Sequence, residues 1–228
     1  MKSLKIVVWN IGRGGEYGIE TISRTLETLE PDVALISEFR TGMNGMALRA
    51  RFDRMGMVYQ TPCDTEPHED ALILASRLPF VHAKKHAAAC NPSHLIHVLL
   101  GRHRLCAAYI PEAGDQEQVL DALARVAETT NQDSAVFIVS LPSNRQYLSG
   151  GSSGISRTHK KRLAHCGLLD AGLLTHRDKM PDEAFSADFA MVTSTLAHRV
   201  LDYRFGCAAV NNAPDRGFML LELDLSAV

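Results

Sequence analysis

Lys5-Ile6-Val7-Val8-Trp9-Asn10 and, further on, Pro31-Asp32-Val33-Ala34-Leu35-Ile36-Ser37-Glu38 are the stretches that decide how this chain folds. Each is a short apolar run that closes on a polar residue, which reads as a buried strand whose end reaches a surface. The loop Asn10-Ile11-Gly12-Arg13-Gly14-Gly15 leaves the first strand, and its glycines suit a turn. Glu16 to Glu30 then sets Ile19, Ile22, Leu26 and Leu29 at three- and four-residue spacing, which predicts an amphipathic helix over 16–30. Pro31 stops that helix, because the residue before a proline is pushed out of helical backbone. The opening of the chain is therefore strand, helix, strand, with Asn10 and Glu38 at the strand ends.

Further along, Ala71 to Ala75 is a third apolar run leading into Ser76-Arg77-Leu78-Pro79. Leu95 to Leu100 and Leu105 to Ile110 flank Gly101-Arg102-His103-Arg104, a composition suited to a hairpin turn. His94 and His97 fall in this strand-like region on opposite faces and make a poor metal pair. Gln116 to Glu128 places Val119, Leu120, Leu123 and Val126 on one helical face, and Ala135 to Val139 is a β-branched run. Ser149-Gly150-Gly151-Ser152-Ser153-Gly154 reads as a surface loop. Arg157, His159, Lys160, Lys161 and Arg162 form a basic cluster, with a short helix predicted over 163–169 that ends near Gly167. Phe189 to Val192 and Phe218 to Leu225 supply late strands. Helices alternating with hairpins favour two packed sheets covered by helices over one parallel sheet.

With 228 residues, 46% of them hydrophobic, the chain can bury one sizeable core without disulfides or a structural metal, and a single domain over 1–228 is the simplest reading. A net charge of -2 gives no general attraction to a nucleic acid backbone or an anionic membrane. The apolar stretch near Met1 is too short for a secretory signal and no later run approaches a membrane span, so a cytoplasmic location is expected. The five cysteines are scattered and never form a C-x-x-C pair, which suggests neither a disulfide framework nor a thiolate zinc site. Most of them read as small buried hydrophobes.

Taken in order, several of these stretches resemble the landmarks of the endonuclease/exonuclease/phosphatase (DNase I-like) family. Lys5 to Asn10 resembles its opening strand ending in W-N, and Pro31 to Glu38 its P-D-hydrophobic strand ending in glutamate. Ala71 to Pro79 is similar to its strand ending in S-R-L-P, and Tyr109-Ile110-Pro111 to its Y-x-P. Ala187-Asp188-Phe189-Ala190-Met191-Val192-Thr193 resembles a late strand opening on aspartate, and Pro214-Asp215-Arg216 stands where the closing S-D-H would be. The resemblance spans almost the whole chain and implies an α/β fold, a four-layer α/β/β/α sandwich of two mixed sheets flanked by helices.

It also implies chemistry: a divalent cation, usually magnesium, at the rim shared by the sheets, neutralising a phosphoryl group under attack by water. On this resemblance Glu38 and Asp215 would hold the metal, Asn10 the substrate or a metal water, and Tyr109 would face the phosphate. Two departures stand against it. The G-D-x-N motif is replaced by Ser140-Leu141-Pro142-Ser143-Asn144, which lacks the carboxylate in either register, and Arg216 replaces the histidine. Arginine stays protonated and cannot exchange a proton near neutral pH, but it can clamp an anion.

Each candidate also has a plainer reading. Glu38 could be a solvated strand-end carboxylate, Asn10 a turn residue, Tyr109 a core aromatic, and Asp215 and Arg216 neighbours in a turn or ion pair. Asp188, which in the family would orient the missing histidine, could pair with Arg216 or be structural. Arg13, in the glycine-rich loop, and Asn144 are candidate substrate contacts, and His176 is the replacement base the sequence offers. The basic cluster lacks interleaved aromatics and suits a solvated face better than a nucleic acid groove. The expectation is a divergent metal-dependent phosphoester hydrolase with altered catalytic residues, acting on a small anionic or phosphorylated substrate. The alternatives are a repurposed biosynthetic enzyme acting without phosphoester hydrolysis and a non-catalytic binding protein.

Overall fold

The computed structural model describes residues 3–15, 18–63, 65–83, 91, 93–111, 114–130, 132–142, 152–175, 188–207 and 217–225, with backbone alone for 152–157 and 207. One sheet contains β1 (Ser3–Asn10), β2 (Val33–Phe39), β3 (Tyr59–Gln60), β4 (Ala71–Ser76), β11 (Val200–Cys207) and β12 (Gly217–Asp224). The other contains β5 (Phe80–His82), β6 (Leu95–Leu100), β7 (His103–Tyr109), β8 (Ala135–Ser140), β9 (Leu169–Asp170) and β10 (Phe189–Val192). Their orders are β11-β12-β1-β2-β4-β3 and β5-β6-β7-β8-β10-β9. Both are mixed: β1 with β2 and β7 with β8 run parallel, and the other pairs antiparallel.

The period of two along each strand sorts side chains into layers. Ile6 and Val8, Val33 and Leu35, Leu105 and Ala107, Val136 and Ile138, and Ala190 and Val192 meet in one core between the sheets. The alternate residues face helices. Val7, Trp9, Ala34 and Ile36 pack under α1 (Ile19–Leu29) and α2 (Met43–Arg54) through Ile22, Leu26, Leu48 and Phe52. Cys106, Phe137, Val139 and Met191 pack under α3 (Gln116–Thr130) and α4 (Ser152–His165) through Val119, Leu123, Val126 and Leu163. The architecture is the four-layer α/β/β/α sandwich. Strands covered on both faces explain the unbroken apolar runs, and burying each such side chain contributes about 1.5–3 kcal/mol.

Several expectations are corrected. Residues 152–154 open α4 instead of continuing a surface loop. The helix expected over 163–169 is the end of α4, which stops at His165; Gly167 turns with φ 85° and Leu169 belongs to β9. The first helix begins at Ile19 with Gly18 before it, and Glu16 and Tyr17 of the expected span lie outside the described residues. Among the described free cysteines Cys106 is buried, whereas Cys63 and Cys166 are only partly so. The basic cluster ties elements together. Lys160 pairs with Asp170 at 3.0 Å and lies over the Phe189 ring, and Arg162 pairs with Glu117 and Asp121 on α3. No helix among the described residues is long and apolar enough to cross a membrane.

Candidate functional site

The alternation that builds the inter-sheet core also determines what lies at its ends. Continuing past Val8, Leu35, Ala107 and Ile138, the next inward positions are Asn10, Ser37, Tyr109 and Ser140, and Asp188 precedes inward Ala190 in the same way. Strand pairing brings these ends level: Asn10 lies beside Ser37, Tyr109 beside Ser140, and Phe189 opposite Val139. Residues far apart in the chain therefore share one rim.

They are joined there by hydrogen bonds that cross from sheet to sheet. The Asn10 amide Nδ2 donates to Glu38 Oε1 at 2.9 Å and to the Leu141 carbonyl at 2.8 Å, while its Oδ1 accepts from the Gly12 amide at 3.0 Å. Glu38 Oε2 accepts from the Arg13 amide at 3.1 Å. On the other flank, Asp188 Oδ1 accepts from Ser140 Oγ at 2.9 Å and from the Leu141 amide at 3.0 Å. Ser37 Oγ and Ser140 Oγ are 2.6 Å apart. Ser140 has a single hydroxyl proton and gives it to Asp188, so Ser37 is the donor of that pair.

Backbone conformation aims these groups. Strict alternation would point Glu38 at the helices, but Glu38 has φ 52° and the β2–β4 pairing shifts between Ile36 and Phe39. A bulge of this kind re-aims a side chain, and a non-glycine residue held at positive φ is a strained position. Gly12, Arg13, Gly14 and Gly15 all have positive φ, from 40° to 71°. Three of the four are glycine, for which that region carries no steric penalty, and the coiled loop turns the Arg13 amide onto Glu38.

The plain reading of Glu38 as a solvated carboxylate fails, since it is 5% exposed; Asn10 is 8% and Asp188 4% exposed. Tyr109 is buried at the inter-sheet end and stacks edge-on against His94, with ring centroids 5.6 Å apart. Leu141 meets the rim through its main chain. Its side chain packs with Leu163 and Leu168 on the helix side, so it contributes only its backbone to the rim and forms no apolar pocket wall there. Asn144, His176, Asp215 and Arg216 lie outside the described residues. Asp215 and Arg216 immediately precede β12, whose first residues pair with β11.

Magnesium is a hard cation that takes several oxygen ligands. Among the described residues no group of three or more His, Cys, Asp or Glu side chains could hold a metal ion. Glu38 is the member of the expected metal pair present among them, and each of its oxygens already accepts a hydrogen bond. The described donor set does not by itself fit a divalent cation.

Sequence reasoning set His94 aside. It lies just before β6, 9% exposed, with Nε2 3.2 Å from the Asp70 carbonyl, and its own carbonyl accepts from the Tyr109 amide across the strands at 2.9 Å. Burial lowers its pKa from the ordinary 6.5. The signal that could have found it is its position opposite Tyr109 in the predicted hairpin.

Three solved structures share this architecture over nearly their whole length. An AP endonuclease from Archaeoglobus fulgidus superposes with a TM-score of 0.74 at 15% identity, covering 97% of this chain and 100% of the other. The 3' phosphatase NExo from Neisseria, bound to a product DNA hairpin, gives 0.73 at 15% identity, covering 97% and 99%. The 3'-5' exonuclease NExo from Neisseria meningitidis gives 0.69 at 14% identity, covering 97% and 100%. No family model matches the chain and no curated protein matches it in sequence. At these identities the likeness establishes the fold, the one these DNA-processing enzymes use, and function has to be argued from the site.

Proposed function

We propose that this chain is a divergent phosphoester hydrolase whose ligand is a small anionic, phosphate-bearing molecule held at the rim shared by the two sheets. The observation that carries the reading is the cross-sheet network in which Asn10 holds both Glu38 and the Leu141 carbonyl while Asp188 holds the Leu141 amide. Buried polar groups joined in this way at the open ends of strands cost conformational and desolvation free energy that an apolar core would avoid. A ligand that needs preorganised polar groups gives them a use.

In this reading Asn10 and the Arg13 amide fix the Glu38 carboxylate, Tyr109 lines the floor, and Arg13 and Arg216 are the cations that would meet the phosphate. Asp215 would have to join Glu38 for a magnesium ion to be held. Nucleic acid is the weaker ligand choice because the net charge is -2 and Lys160 and Arg162 of α4 are engaged in ion pairs within the chain. The repurposed-pocket and non-catalytic readings draw on one specific observation. Leu141 stands where the resemblance implies an aspartate, and its side chain is turned away from the rim.

Turnover of phosphomonoesters and phosphodiesters by the full chain, with magnesium and with a chelator, separates these readings. Hydrolysis lost in Glu38→Gln supports the proposal, and its abolition by the chelator assigns a metal. A protein that binds a phosphate-bearing ligand at the rim but turns nothing over supports the alternatives. One that neither binds nor hydrolyses such molecules rejects the proposal.

A further inference from the structure

The second sheet is ordered β6-β7-β8-β10 through its middle, so His94 and Tyr109 flank β8 on the side away from Asp188. The two sheets are stitched together at this corner. The Leu72 amide of β4 donates to the Ser93 carbonyl at 2.8 Å, and His94 reaches Asp70, the residue before β4. Asp70 is paired with Arg40 at 2.7 Å. The Arg40 stem packs so closely on Gly14 that a Cβ placed on the glycine would lie 3.0 Å from it. His94 is thereby fixed to the same loop that carries Arg13.

The hydrogen bond to Asp70 determines the state of the ring. A carbonyl oxygen only accepts, so Nε2 carries the proton and Nδ1 of the neutral imidazole keeps its lone pair. That Nδ1 is buried and has no hydrogen-bond partner among the described residues. Buried acceptors are nearly always satisfied, and leaving one unmade costs about 1–3 kcal/mol. An acceptor of this kind, nine-tenths buried beside Tyr109 at the ligand rim, suits a donor that arrives with the ligand.

We propose that His94 is the proton acceptor of this pocket, the role for which the closing motif offers Arg216 in place of a histidine. The assignment rests on the phosphoester reading given above. In the step it serves, the oxygen of a water molecule forms a bond to phosphorus and one of its protons passes to Nδ1. The ester P–O bond breaks, and the leaving oxygen keeps the electron pair and takes a proton from solvent. The imidazolium then returns its proton to solvent. The charged and titratable groups facing the ring are Asp70, Asp115 and Glu69, whose carboxylates favour its protonation, and the Tyr109 phenol against its edge. Burial opposes them and prevails, holding His94 neutral at pH 7 as a base must be.

The test is the pH dependence of kcat/KM for p-nitrophenyl phosphate and bis(p-nitrophenyl) phosphate in the wild-type chain, His94→Gln and His159→Gln. Glutamine can keep a donor to the Asp70 carbonyl but has no basic nitrogen. His159 is a second buried histidine of lowered pKa, on α4, with Glu117 and Arg162 as its charged neighbours. We expect wild-type kcat/KM to fall on an acid limb below pH 6.5, and His94→Gln to lose about a hundredfold or more in kcat while that limb disappears. His159→Gln should retain the limb. Unchanged turnover with an unchanged limb in His94→Gln overturns the assignment.

A wild-type chain that binds phenyl phosphate but hydrolyses neither ester also overturns it, while leaving the rim as the ligand site; a chain that does neither overturns both. Should His94→Gln fail to fold, imidazole nitrogen NMR of the wild-type protein decides. A neutral ring protonated at Nε2, whose Nδ1 signal moves when phenyl phosphate is added, supports the proposal. A ring protonated at Nδ1, or a signal that does not move, refutes it.

Discussion

The two ends of the inter-sheet core are built differently. At the end where β1, β2, β7 and β8 finish, Asn10, Ser37, Glu38, Ser140 and Asp188 are buried and hydrogen-bonded from one sheet to the other. At the opposite end the hydroxyls of Ser76 and Thr193 are buried but bond within their own sheet or its adjoining turn, and the charged groups sit nearer solvent. Asp32 takes the Lys5 amide, Arg104 pairs with Asp133 at 2.6 Å with side chains 29% and 44% exposed, and His103 meets Ser134 at 2.7 Å. Both ends must terminate strands, and the second shows that this can be done with half-exposed turns and ion pairs. The first goes further than termination requires, and for that reason it is the end to examine for function.

The contrast can be broken by substitution. Asn10→Leu should have the largest effect, because it removes the side-chain amide that bonds the buried Glu38, the Leu141 carbonyl and the Gly12 amide. A loss of about 3 kcal/mol or more in urea denaturation is expected, together with loss of ligand binding. Asp188→Ala removes the acceptor of Ser140 and of the Leu141 amide and should cost about 2 kcal/mol by the same measurement, with Asp188→Asn milder.

Acid should act next. His94 and His159 are both held below their ordinary 6.5 by burial, so the unfolded chain takes up protons first as pH falls. Stability should be complete above pH 6.5 and decline below it, and His159→Gln should reduce the slope of melting temperature against pH. The smallest effect belongs to the opposite rim, where Asp133→Ala breaks a half-exposed pair and should cost under about 1 kcal/mol.

The strands of the core were readable because burial on both faces leaves unbroken apolar runs such as Ile6 to Trp9 and Ala34 to Ile36. The shortest elements were not. β3, β5 and β9 have two or three residues, too few for any period to register. The eight-residue β11 was missed because Asp202 and Arg204 interrupt its apolar positions and its register shifts between Val200 and Asp202. α2 was missed because Gly45 and three arginines dilute its apolar face; Gly45 is there because a Cβ would come within 2.0 Å of the Arg40 carbonyl.

At the site, the resemblance pointed to Asn10, Glu38, Tyr109 and Asp188. The partners that tie them together, Ser37, Ser140 and the Leu141 backbone, carry no sequence signal, since any residue has an amide and a carbonyl. The direction of the Leu141 side chain was not legible for a related reason. Identity alone does not tell which face of a strand end a side chain takes, and alternation from Val139 places it under the helices.

Backbone amide shifts on titration with phenyl phosphate put the central claim to its most direct test. The account predicts that the largest changes cluster at Gly12, Arg13, Glu38, Tyr109, Ser140 and Leu141, with Arg104, Asp133 and Ser134 unmoved. Changes confined to the Arg104–Asp133 end, or spread without regard to the two rims, would contradict it.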